Sequence, residues 1–145
     1  GPRPMSRTIR RAGPGAALAL LALASCQTAP PPATPQAQSM QYMLGDVQVL
    51  RAYVRNQASQ DAAAAAAEDL VTWSHRLGAL FPPETAAEYV DMTPDIARIA
   101  PPVMIDTATE VAIAVHAGNP TVTGPRLARL EHDGCGMCHR NGWKE

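Results

Sequence analysis

Aromatic residues are scarce in this chain: one Phe, two Trp and three Tyr, or 4% of 145 residues. A small domain so short of large flat side chains must find its apolar mass in aliphatic packing or in a bound group. Alternating polar and apolar segments are missing as well, which excludes a sheet and leaves helices as the regular structure. The apolar run Ala16–Ala24 falls well short of the roughly 20 residues that a membrane-spanning helix needs. No nucleophile sits in a pattern with a base, and no nucleotide-binding motif occurs, so the chain does not read as an enzyme. Cysteine is limited to Cys26, Cys135 and Cys138, an odd number that no set of internal disulfides could use up.

What is present starts with a targeting pattern. Arg7, Arg10 and Arg11 precede the Ala16–Ala24 run, and Leu23-Ala24-Ser25-Cys26 follows it, the order of an export signal. The last four residues resemble a bacterial lipobox, in which the cysteine is diacylated and becomes the new N-terminus. The alternative is an ordinary signal peptide that leaves Cys26 as a thiol. On the lipobox reading, residues 1–25 are removed and Cys26 carries lipid. Residues 26–38, rich in Pro, Ala and Gln, form a tether whose last 12 or so residues would reach about 35 Å if extended. The protein would then sit in the bacterial periplasm, anchored to the outer membrane or to the periplasmic face of the inner one. The segment before Cys26 holds four arginines and no acid, so the 12 basic residues drop to eight against 13 acidic ones, a formal charge of −5. That sign disfavours a nucleic-acid partner.

Residues 39–145 read as one all-α domain. Met40, Met43, Leu44, Val47, Leu50 and Val54 recur at helical spacing, predicting a first helix over 39–57. Asp61 is a candidate cap for an alanine-rich second helix whose apolar face continues through Leu70, Trp73, Ser74, Leu77, Leu80 and Phe81 until Pro82-Pro83. Residues 84–100 read as a connection with turn signals at Thr93-Pro94-Asp95. Pro101-Pro102 suits the start of a third helix carrying Met104, Ala108, Val111, Ala112 and Val115, stopped by Gly118-Asn119-Pro120. Pro125 opens a fourth, with Leu127, Leu130, Gly134, Cys135 and Cys138 inward. Four helices joined by short turns predict a four-helix bundle.

The fourth helix runs into Cys135-Gly136-Met137-Cys138-His139, the C-x-x-C-H arrangement by which proteins attach haem c. Cysteines three apart on one helical turn can reach the two vinyl groups along one porphyrin edge, and the next histidine falls under the iron. Zinc held by Cys135, Cys138, His139 and His132 is the weaker alternative, because His139 adjoins Cys138 and makes a poor tetrahedral cage. Met137 is a spacer inside the motif.

With this motif at the end of the last helix, after the Leu77-Gly78-Ala79-Leu80-Phe81-Pro82 helix end, the Thr93-Pro94-Asp95-Ile96 turn and the Ala117-Gly118-Asn119 break, residues 40–144 resemble the class II c-type cytochromes, the cytochrome c prime group and its low-spin relatives. The resemblance implies an antiparallel four-helix bundle with one covalent haem near the end of the last helix, His139 as fifth iron ligand, and the first helix across the opposite haem face. An apolar residue there gives five-coordinate iron that binds nitric oxide or carbon monoxide. A methionine there gives low-spin iron and electron transfer. The chain departs from the family in two places: Trp143 stands where a basic residue usually follows the haem histidine, with Arg140 and Lys144 nearby, and Ala97 replaces the usual tryptophan after the turn.

The first helix offers Met43 and, as the alternative, Met40, on one face; thioether ligation raises a haem potential. Core filling is the ordinary use of both. Gly45 would let this helix approach the porphyrin closely. Arg51 and Arg55 are candidates for haem propionates, His75 and His116 read as surface histidines, and Trp73 and Trp143 as packing residues. Arg126, Arg129, Arg140 and Lys144 form a basic rim that would steer toward acidic redox partner proteins of the periplasm or membrane. The expected function is a membrane-tethered monohaem electron carrier, monomeric by preference with a dimer as the alternative; a gas-binding cytochrome c prime-like protein is the second reading.

Overall fold

The computed structural model describes residues 34–88 and 92–139, together with Gly1 and Pro30. Cys26, the signal segment, most of the tether, and Arg140, Trp143 and Lys144 lie outside the described residues. The chain divides into two units, Gly1–Pro30 and Pro31–Glu145, and all the helices below belong to the second. The fold is all-α: four helices, with no strand among the described residues. No described helix is long and apolar enough to cross a membrane.

Helix α1 spans Pro35–Val54, starting four residues before the position expected from its apolar stripe. The reason is local: the Thr34 hydroxyl accepts from Ala37 N at 3.1 Å, and Pro35 supplies a preset φ in the first turn, where no donor is lost. Helix α2 spans Gln60–Leu80. Its cap is Ser59, whose Oγ accepts from Ala62 N at 3.1 Å; Asp61, the expected cap, lies two residues on in the first turn and complements the helix dipole instead. Ala63, Ala66 and Ala67 are buried, and their small side chains bring neighbouring helices close.

Helix α3, Pro94–His116, corrects the expectation that Pro101-Pro102 begins it. Thr93 caps it by accepting from Ile96 N at 3.3 Å, Pro94 takes the first turn, and Asp95 sits at the positive dipole end. These signals start the helix seven residues early, and it runs through both prolines at the cost of two backbone donors. Helix α4 likewise opens at Pro120, capped by Asn119 Oδ1 accepting from Val122 N at 3.2 Å, and Pro125 lies inside it. It spans Pro120–Arg129, continues as a π-helical turn over Leu130–Cys135, and closes with one α turn, Gly136–Cys138. Between α3 and α4, Gly118 has φ +68°, the left-handed value that ends helices and suits glycine.

Helix α1 packs on α2 and α4, and α3 packs on the same two. One core runs through them, with Leu50, Leu70 and Leu130 fully buried, each worth on the order of 2 kcal/mol. Met43, Val47, Leu77, Met104, Ala108, Val111 and Val115 share it, so the apolar stripes read from the sequence do face inward.

One polar contact cuts against this core. Asp46 on α1 has its Oδ2 buried and without a hydrogen-bond partner. Burial first, then the neighbouring Asp69 carboxyl, push its pKa from an ordinary 3.8 up to about 8. In the protonated form it can donate to Asp69, which itself accepts from Trp73 Nε1 at 3.2 Å. The folded chain therefore keeps this proton to about pH 8, whereas the unfolded chain releases it near 3.8. Its stabilisation is complete below the lower value, is lost as pH rises between the two, and is flat above. Asp46→Asn, which keeps a donor toward Asp69, is expected to remove this slope and to stabilise the protein at pH 8 by on the order of 1 kcal/mol, a figure reduced for solvent screening. Urea melts at pH 5 and pH 8 measure it; an unchanged pH slope in the variant would refute the assignment.

Candidate functional site

All four helices contribute to one pocket at a single level of the fold. It is narrow in this structure, with about 50 Å³ of space for a water-sized sphere, so a bound group would have to part the side chains that line it. Met40 and Met43 come from α1, Leu77 from α2 with Phe81 just beyond it, and Met92 from the segment before α3. Ala97, Ala100, Pro101 and Met104 come from α3, and Gly134, Cys135, Cys138 and His139 from the end of the fourth helix. The lining is almost wholly apolar. Into it, from opposite sides of the chain's length, come two thiols and an imidazole at one end and two thioethers at the other.

The geometry of the C-terminal turn follows from its backbone. His139 N donates to Cys135 O at 3.1 Å, so Cys135, Cys138 and His139 occupy one helical turn, the spacing that double attachment to a porphyrin edge requires. Burial pushes the Cys138 thiol above its ordinary value. The preceding π turn widens the helix where the fold needs it, and such single turns recur at functional sites.

Gly134 sets how close this turn comes to α3. A Cβ placed on it would lie 2.6 Å from Met104 Sδ and 3.1 Å from Thr107 Oγ1. Gly45, the glycine that the sequence suggested for close approach, is exposed, and a Cβ there would meet nothing within 4 Å. The tight contact thus falls on the other side of the pocket. Sequence reasoning also passed over Met92, which is 6% exposed and lines the pocket; no periodic stripe contains it, so only its position in the fold reveals it.

Arg51 and Arg55 lie outside the pocket lining. Arg51 Nε donates to Glu131 Oε1 at 2.8 Å, and its Nη2 binds the same oxygen. Arg55 Nε donates to Gln57 Oε1 at 3.2 Å on the surface. His75 is exposed, His116 pairs with Glu68 at 3.0 Å and His132 contacts Asp133 at 2.8 Å; none lines the pocket. Trp73 stacks on Tyr42 with ring centroids 5.7 Å apart, and Arg76 lies over it. Of the basic rim, Arg129 is paired with Glu110 at 2.9 Å and Arg126 donates to the Glu110 carbonyl, so these two charges turn toward α3.

The residues fit a covalently held haem by the chemistry of the donor set: two thiols on one turn, an adjacent imidazole, thioethers in the same lining, and an apolar wall. No family model matches the chain, and neither a curated protein nor a solved structure matches it.

The Gly134 contact yields a direct test. Gly134→Ala is expected to cost about 1–3 kcal/mol through overpacking against Met104, and Met104→Ala in the same chain is expected to return part of that loss. Thermal melts of the single and double variants measure the coupling; additive effects would show that the two residues are not in contact.

Proposed function

We propose that this chain is a monohaem c-type cytochrome of the class II kind, an antiparallel four-helix bundle that carries electrons while tethered through Cys26 to a membrane of the bacterial periplasm. The observation that carries the reading is an apolar pocket lined both by Cys135, Cys138 and His139 and by Met40 and Met43. Cys135 and Cys138 would hold the haem through thioethers, His139 would take one axial position, and Met43, or Met40, the other. Bound in this way, haem supplies a one-electron couple between ferric and ferrous iron.

The chain's own residues explain why such a site suits transfer and not substrate chemistry. Leu77, Phe81, Pro101 and the methionines exclude water, which limits reorganisation when the charge changes and favours a raised potential. The described lining contains no carboxylate and no hydroxyl, and with Cys135 and Cys138 held as thioethers and His139 in an axial role none of its titratable groups would be left for substrate chemistry. Met43 is buried while Met40 is partly exposed, which favours Met43 as the better shielded ligand. Partners would be periplasmic or membrane redox proteins, and the lipid at Cys26 would confine encounters to the membrane surface.

Expression of the full chain with haem-attachment machinery tests the reading. The expected product has one covalent haem by mass, a low-spin ferric spectrum and a sulfur-to-iron charge-transfer band toward the red. Met43→Ala is expected to abolish that band and turn the iron high-spin, whereas Met40→Ala leaves it largely intact. Rapid carbon monoxide binding by the reduced wild-type protein would instead identify an open site of the cytochrome c prime type, and absence of a Soret band would refute haem attachment.

A further inference from the structure

Arg51 and Glu131 join the first helix to the π turn that leads into Cys135, and their places in the chain are matched. Arg51 lies eight residues after Met43 on α1, and Glu131 lies eight residues before His139. On α1 those eight residues rise about 12 Å, while the matching segment of the fourth helix passes through the π turn and one short α turn. Met43 and His139 both line the pocket, while Arg51 and Glu131 touch each other farther along the same two segments. The segments therefore run in opposite directions, level at the pocket and tied a fixed distance away from it. The tie is a good one: Nε and Nη2 of one guanidinium converge on one carboxylate oxygen, with side chains only 28% and 19% exposed. Charge assistance and partial burial give such a pair more hold than a fully exposed ion pair has.

From this we infer that the Arg51–Glu131 pair is a register rung that selects Met43 over Met40 as the residue facing His139. The inference rests on the axial-ligand reading above and names what would decide it. Met40 and Met43 are three residues apart, about 4.5 Å along the helix, so a slip of one turn between α1 and the fourth helix exchanges one thioether for the other. The apolar contacts between these helices resist separation but are non-directional, so a directional ion pair adds a preference for one level. The other neighbours of the π turn come from α3, where Met104 and Thr107 crowd Gly134; they set its distance from α3 and say nothing of its level on α1. Among the described residues, Arg51–Glu131 is the ion pair that links α1 to the fourth helix.

The experiment compares the haem-loaded full chain with Arg51→Gln, Glu131→Gln and the exchanged pair Arg51→Glu/Glu131→Arg. Two readouts are taken: the intensity of the sulfur-to-iron band with the reduction potential, and the distance between spin labels on Gln48→Cys and Ala128→Cys in a Cys26→Ser background. Each single variant is expected to raise the high-spin fraction roughly fivefold, lower the potential and shift or broaden the label distance; the exchanged pair is expected to restore all three. Adding Met40→Leu to Arg51→Gln is expected to remove the remaining low-spin fraction, because Met40 is then the ligand that takes over. Unchanged label distances in the single variants overturn the rung whatever the iron does. Shifted distances with a band that survives the added Met40→Leu overturn the selection of Met43. Failure of the underlying reading has its own signature: Met43→Leu in the otherwise unaltered chain leaves the band intact, and the selection falls with it.

Discussion

The arrangement depends on one close approach. Where the fourth helix passes α3, Gly134 leaves no room for even a methyl group beside Met104 Sδ. The glycine lets the turn carrying Cys135, Cys138 and His139 pass close to α3, and a side chain at position 134 would have to displace the Met104 thioether and crowd Thr107. The neighbouring π turn is the accommodation on the helix's own side: a wider turn lets Leu130 stay fully buried while the two cysteines reach the pocket. Such a turn gives up ideal hydrogen-bond geometry, so its persistence in a well-packed segment points to a role beyond stability.

Charge is arranged to keep that turn in place without entering the pocket. Glu131 reaches back to Arg51 on α1, and Arg129 reaches across to Glu110 on α3, so the fourth helix is held from two sides just before its donor residues. The pocket itself stays apolar. A haem there would find low dielectric surroundings, where the soft thioether is at little disadvantage against water and where a change of iron charge costs little reorganisation. The shortage of aromatic side chains noted in the sequence has its counterpart here: four methionines, Met40, Met43, Met92 and Met104, line the same space, and flexible thioethers can close around a flat group that supplies the missing aromatic mass.

Much of this was legible in the chain, and the misses have particular causes. The stripes through Met43, Val47 and Leu50 and through Met104, Ala108, Val111 and Val115 were readable because burial at helical spacing leaves a periodic trace. Helix starts were harder. Proline signals a first turn, yet Pro101, Pro102 and Pro125 all lie inside helices, because Thr93 and Asn119 provide stronger caps upstream and packing carries the helix past the lost donors. Asp61 lost the cap to Ser59 for a similar reason, since a hydroxyl two residues earlier already bonds the Ala62 amide. In the site, the C-x-x-C-H spacing and the α1 methionines came from residue chemistry. Met92 and the importance of Gly134 did not, for both depend on which helices become neighbours. The Arg51–Glu131 pair spans 80 positions, and no local pattern announces so distant a contact.

X-ray absorption at the iron edge of the purified ferric protein tests the central claim most directly, because it reads the atoms bound to the metal without relying on any variant. The account predicts six-coordinate iron with one sulfur neighbour in addition to the porphyrin and imidazole nitrogens. Five-coordinate iron with nitrogen neighbours only, or a sixth light atom in place of sulfur, would contradict it.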